Sequence, residues 1–166
     1  METFVRYSEK LIALFAKLSA YLVIALSFLV VYDALNRYLF HGGSIALQEW
    51  EWHLFDIIFL LGLSYTLQTD KHVRVDIFYT RFNPKTKALI NIIGQLFLVL
   101  PFTVLILYMS TSFVEQSYLQ HEISSDPGGL THRYLIKGMI LVGFVLLGLQ
   151  SICTLYHNIT LFKERS

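Results

Sequence analysis

The stretch LIALFAKLSAYLVIALSFLVV, from Leu11 to Val31, holds one charged residue and neither glycine nor proline. An apolar run of this kind crosses the ~30 Å hydrocarbon core of a bilayer as a helix, which takes ~17 to 25 residues. Its one charge, Lys17, carries a long aliphatic stem that lets the ammonium return to the headgroup layer, so the run is unbroken. Three more apolar segments follow, Ala46 to Gln68, Ala88 to Met109 and Gly138 to Tyr156. Together they predict an all-α membrane protein with four transmembrane helices, at about 11–39, 46–68, 88–110 and 134–156, in a single membrane domain over residues 1–166.

Composition agrees with that reading. With 55% hydrophobic residues, 15% charged residues and a mean hydropathy of +0.55, the chain lacks the polar surface of a soluble domain. The pieces between segments, Thr69 to Lys87 and Ser110 to Lys137 among them, fall short of the ~40 residues below which a domain rarely makes its own core. No soluble catalytic unit fits there, and no enzyme is expected. Thirteen Lys and Arg against twelve Asp and Glu leave a net charge of +1, with no basic excess to suit nucleic acid. The single Cys153 rules out a disulfide framework or a thiolate metal cluster within the chain. The first segment flows into Asp33-Ala34-Leu35-Asn36-Arg37 without a small-residue cleavage site, so it reads as a permanent span rather than a leader.

Charge placement orients the spans, because Lys and Arg gather in cytoplasmic loops. Arg6, Lys10, Lys17, Lys71, Arg74, Arg81, Lys85, Lys87, Lys163 and Arg165 fall on one side, and Arg37, Arg133 and Lys137 on the other. Both termini are therefore expected in the cytoplasm. Between spans two and three, at about 70–83, Val75, Phe78, Tyr79 and Phe82 recur at helical spacing among Lys71, Arg74 and Arg81, the pattern of an amphipathic helix lying in the headgroup plane. Asn83-Pro84 ends it. Pro101 sits in the middle of span three and removes one backbone hydrogen bond, so a kink is expected there. Ser124-Ser125-Asp126-Pro127-Gly128-Gly129 is a dense turn signal between spans three and four.

A charge at the bilayer centre costs ~2.5 to 3.5 kcal/mol, so each one near a span needs a partner or a purpose. Glu49, His53 and Asp56 share one face of span two, while Trp50 and Trp52 mark an interface. If His41-Gly42-Gly43-Ser44 closes an antiparallel hairpin, residues at equal depth have numbers summing to about 86. That register pairs Arg37 with Glu49 and Asp33 with His53 as polar ties, and leaves Asp56 for contact with another subunit or a water-filled crevice. One helix offers too few convergent ligands for a metal. The six His also provide no workable haem pair, since His41, His72, His121 and His132 lie in connecting segments and His53 and His157 lie at opposite faces. No cofactor and no metal is expected. Asn91, Gln95 and Gln150 read as hydrogen-bonding links between helices.

Four motifs carry a family resemblance: Asn36-Arg37-Tyr38-Leu39-Phe40, Gln48-Glu49-Trp50-Glu51-Trp52-His53-Leu54-Phe55, Leu60-Leu61-Gly62 and His72-Val73-Arg74-Val75-Asp76. Over roughly Val31 to Tyr79 the chain resembles the small membrane subunit of the tripartite ATP-independent periplasmic (TRAP) uptake systems, and the Asp126-Pro127-Gly128-Gly129-Leu130 loop agrees. The resemblance implies a non-catalytic scaffold in a bacterial inner membrane. Its implied partners are a large elevator-type membrane subunit carrying the sodium and substrate sites, a periplasmic binding protein that delivers organic acids, and membrane lipid. It further implies that Arg37 and Glu49 occupy buried polar positions, and that His72, Val73 and Asp76 belong to a cytoplasmic motif. In that picture Lys71, His72, Arg74, Asp76 and Arg81 hold the lipid interface, and Asp126, Gly128, Gly129, His132 and Arg133 form a docking surface for the binding protein. The rival class is a membrane anchor of a respiratory oxidoreductase, which would need a His pair or quinone pocket.

Overall fold

The computed structural model describes residues 1–70, 79 and 82–164, and the described residues are helical, with no strand among them. Four helices follow in order: α1 Glu2–Phe40, α2 Ile45–Gln68, α3 Pro84–Leu119 and α4 Tyr134–Glu164. Of these, α1, α3 and α4 are long and apolar enough to cross a membrane. Helix α2 stands where the second span was expected, but Glu49, Glu51, His53 and Asp56 dilute the apolar content of its first half. The expected interfacial helix, with Lys71, His72, Arg74, Asp76 and Arg81, lies outside the described residues.

Helix α1 begins nine residues before the expected apolar core, and the reason is a stripe rather than bulk hydropathy. Val5, Ser8, Ile12 and Ser19 recur at helical spacing and are buried. At ~1.5 Å per residue its 39 residues extend ~58 Å, well beyond the hydrocarbon thickness. His41 ends it in the left-handed region at φ 50°, its N–H bonded to the carbonyl of Asn36. Ser44 then caps α2, its side-chain oxygen accepting from the Leu47 N–H at 3.4 Å. The four-residue link makes α1 and α2 the antiparallel hairpin that was expected.

Helix α4 is central and packs against the other three. A Cβ at Gly143 would lie 2.9 Å from both the Cβ and the carbonyl oxygen of Leu60, so the α2–α4 crossing is close enough to require glycine. The core joins Ile12, Leu61 and Leu146, one from each of α1, α2 and α4.

Much of what is buried is small or polar, as in membrane bundles, where packing and hydrogen bonds rather than hydrophobic exclusion hold helices together. Ser8, Ser64, Thr103, Ser110, Ser117 and Ser151 face inward, while Phe28, Leu98 and Tyr108 are each at least 70% exposed. Ser19 Oγ donates to the Ile58 carbonyl at 3.0 Å, joining α1 to α2. Ser151 Oγ donates to Gln95 Oε1 at 2.6 Å, and Asn91 Nδ2 to Asn158 Oδ1 at 3.1 Å, both joining α3 to α4. Asn91 and Gln95 are thus the interhelical links expected; Gln150 bonds to Thr154 on its own helix instead.

Around Pro101 the helix widens to a π turn over Gln95–Val99, with the Leu100 N–H reaching back to the Gln95 carbonyl. Thr103 Oγ1 donates to the Val99 carbonyl at 2.7 Å. The missing proline donor is absorbed by this local change of helix type. At the opposite end of the bundle from the 41–44 link, His157 Nε2 meets Glu9 Oε1 at 2.9 Å and Gln68 Nε2 donates to the Glu9 carbonyl at 3.3 Å. The two ends of the chain therefore share one end of the bundle.

Candidate functional site

Glu49, His53, Asp56, Asp126 and Arg133, which the sequence singled out, converge at the other end, where α2 begins and the α3–α4 loop folds over it. The loop is a closed structure. Arg133 N–H donates to the Glu122 carbonyl at 3.2 Å, Ser124 N–H to the Leu130 carbonyl at 3.0 Å, and Gly129 N–H to the Asp126 carbonyl at 3.0 Å. Gly128 takes φ 84°, a conformation that L residues avoid.

Glu49, one turn into α2, fastens this loop. Its carboxylate accepts from the Ser124 hydroxyl through one oxygen and from the Leu130 N–H through the other. A charged acceptor holding two neutral donors is among the stronger hydrogen-bond arrangements. Gly129 makes the approach feasible, since a Cβ there would lie 2.9 Å from Glu49 Oε2 and closer still to Ser124. On the far side of the loop Glu122 binds Lys137 Nζ and stands 3.7 Å from Arg133 Nε. The Lys137 hydrogen bond first, then the charges of Lys137 and Arg133, hold the Glu122 carboxyl below its ordinary range. Lys137 also lies 4.0 Å over the Phe113 ring.

The two cross-helix ties expected from hairpin register are not the ones formed. Arg37 pairs with Asp33, four residues earlier on its own helix, and Glu49 is taken by the loop. Same-face i,i+4 neighbours need no particular helix crossing, whereas equal-depth pairing holds only if the helices run straight and side by side. Asp33 is buried to 1% exposure with Oδ1 making no hydrogen bond among the described residues, and His53 packs edge-on against Trp50, centroids 6.2 Å apart, rather than meeting Asp33. Nor does the structure bring His53 to His157, which is engaged with Glu9 at the opposite end.

Asp56 is exposed and lines a groove of about 330 Å³ together with Gln48, Trp52 and His53 of α2 and Asp126 and Arg133 of the loop. Residues that the sequence treats as two separate matters, Asp56 in a span and Asp126 with Arg133 in a loop, thus share one surface. His132, at φ 62°, is exposed and bonds through Nδ1 to Thr131 Oγ1 at 2.7 Å. Sequence reasoning missed Ser124, Leu130, Glu122 and Lys137. Ser124 and Leu130 lie 75 and 81 residues from Glu49, and a backbone N–H leaves no signature in a sequence. Glu122 and Lys137 of opposite charge flank the turn, which was the one legible signal.

A family model described as "Tripartite ATP-independent periplasmic transporters, DctQ component" matches residues 26–161, from the middle of α1 nearly to the end of α4. No curated protein matches the chain.

Proposed function

The chain belongs to this family, the small membrane component of TRAP transporters and not an enzyme, and from that premise we propose that it is the static scaffold of a sodium-coupled importer of organic acids. In this reading all four helices, α2 included, span the bacterial inner membrane with both termini in the cytoplasm. The chain lies along the large transporting subunit, and the loop over α2 faces the periplasm, where it helps to seat the substrate-binding protein. Specificity for the solute and coupling to sodium reside in the partner chains.

One observation carries the reading. Side-chain hydrogen bonds among the described residues join helix to helix and loop to helix, as in Ser151–Gln95, Asn91–Asn158 and Glu49–Ser124. A moving transport domain needs a partner that stays put, and a bundle cross-linked in this way, with a loop pinned at one end, supplies rigidity and lipid anchoring without solute chemistry. The shared end of the two termini agrees with an even number of crossings, and the sequence count, three cationic residues in segments assigned to the periplasmic side against ten in segments assigned to the cytoplasmic side, agrees with the stated orientation.

The test is reconstitution of the large subunit with its binding protein, with and without this chain. The scaffold reading expects sodium-driven uptake only with all three, and co-purification of this chain with the large subunit when the binding protein is omitted. Full-rate uptake without this chain would overturn it.

A further inference from the structure

The groove between α2 and the loop carries more charge than its surroundings neutralise. Glu49 and Glu122 face Arg133 and Lys137, so those four groups balance. Asp56 and Asp126 are left over. Both are exposed, both line the same groove, and neither enters an ion pair among the described residues. Trp52, 73% exposed, stands on the same wall as Asp56, one helical turn away and so about 6 Å along the axis. Trp50 packs on His53, whereas no ring in the described residues covers Trp52.

Two uncompensated carboxylates beside an open indole face make up a site for a cation that is flat or has a long stem. Carboxylates recognise guanidinium and ammonium groups by charge-assisted hydrogen bonds, and indole is the best ring for a cation–π contact. Gln48 adds an amide that can accept one further donor. The groove volume, about 330 Å³, is at the small end of the ~300 to 1,000 Å³ range of ligand pockets, which suits a single side chain rather than a folded segment. The remaining walls, Ile45 and Ile136, are apolar and fit the stem of such a side chain.

We infer that this groove receives an arginine or lysine side chain projecting from the soluble substrate-binding protein. The assignment rests on the docking role proposed above and names its chemistry. Asp126 lies on the loop beyond the helix ends and meets the cation first; Asp56 draws it down along the face of Trp52. A negative receptor of this kind sets encounter rate and orientation more than ultimate affinity, which suits a carrier that must arrive, unload and leave.

The experiment uses the assembled membrane complex in proteoliposomes with the binding protein titrated outside. Asp56→Asn combined with Asp126→Asn is expected to raise the half-saturating concentration of binding protein about tenfold and to flatten its dependence on ionic strength, with maximal uptake at saturation retained. An unchanged half-saturation and salt dependence overturns the assignment. So does an assembled complex whose uptake stays low at every concentration, because the carboxylates would then serve transport rather than docking. A photoreactive side chain placed at Gln48 gives a readout independent of those variants. Cross-linking to a Lys- or Arg-containing peptide of the binding protein supports the assignment; cross-linking to the large subunit or to a phospholipid overturns it. Failure of the scaffold reading itself shows differently, as uptake by the large subunit without this chain.

Discussion

Gly129→Ala is a substitution of one methyl group at the tightest point of the proposed docking surface. The added Cβ would lie 2.9 Å from Glu49 Oε2 and nearer still to the Ser124 side chain, both of which belong to the clasp that holds the loop. Neither neighbour can yield without breaking the Ser124–Glu49 hydrogen bond, and overpacking of this kind costs ~1 to 3 kcal/mol. If that cost falls on the closed state of the loop, its opening equilibrium shifts by about 5- to 140-fold. Amide exchange at Leu130, whose N–H is bonded to Glu49, should accelerate by the same factor. The half-saturating concentration of binding protein should rise in parallel. Gly128→Ala is the natural comparison: there a Cβ meets nothing within 4 Å, and the penalty comes from φ 84° alone, about 1 to 2 kcal/mol. Accelerated exchange in Gly129→Ala without any change in docking would separate the clasp from the docking role. Unchanged exchange at Leu130 would refute the packing argument altogether.

Three further outcomes follow from the same geometry. Arg37→Gln leaves the buried Asp33 without its cation and should lower membrane accumulation, whereas Arg37→Gln with Asp33→Asn should recover much of it, as read by quantitative immunoblot of membrane fractions; equal loss in both would deny the pair. Gly143→Ala forces α2 and α4 apart at Leu60 and should destabilise the detergent-solubilised protein by about 1 to 3 kcal/mol in thermal unfolding, whereas Gly62→Ala, with open space around it, should not. Because Glu122 titrates below its ordinary value near 4.5, the Lys137 and Arg133 contacts support the loop fully above that value and fade as pH falls through the depressed one. Exchange at the Arg133 amide should therefore rise only in acid, and Glu122→Gln should remove that dependence.

The large features of the fold were legible because they rest on bulk physics. Apolar length located α1, α3 and α4, and the turn residues of the 41–44 link and of the 124–129 stretch marked where the chain reverses. Hydropathy did not reveal the first turns of α1, where Val5 and Ser8 form only a narrow buried stripe on an otherwise polar segment. Pro101 announced a disturbance, but not its form, a π turn beginning six residues earlier at Gln95, where Ser151 bonds across the interface.

At the site the residues were legible and their partners were not. Glu49, Asp56, Asp126 and Arg133 stand out in any reading that prices charge near a bilayer, and all four do line one groove. Pairing needed tertiary geometry. The 86-sum register treated α1 and α2 as straight neighbours, and a carboxylate four residues away on the same helix was closer to Arg37 than anything across the hairpin. Glu49 found a backbone N–H whose position depends on the fold of the loop, and Gly129 could be recognised as a close approach only after that loop was seen.

The most direct measurement is solute flux through this chain by itself. Purified, reconstituted into sealed vesicles and challenged with an inward sodium gradient and labelled organic acids, it should give the leak of empty vesicles, with uptake appearing once the large subunit and binding protein are supplied. Gradient-driven accumulation by the lone chain would contradict the account.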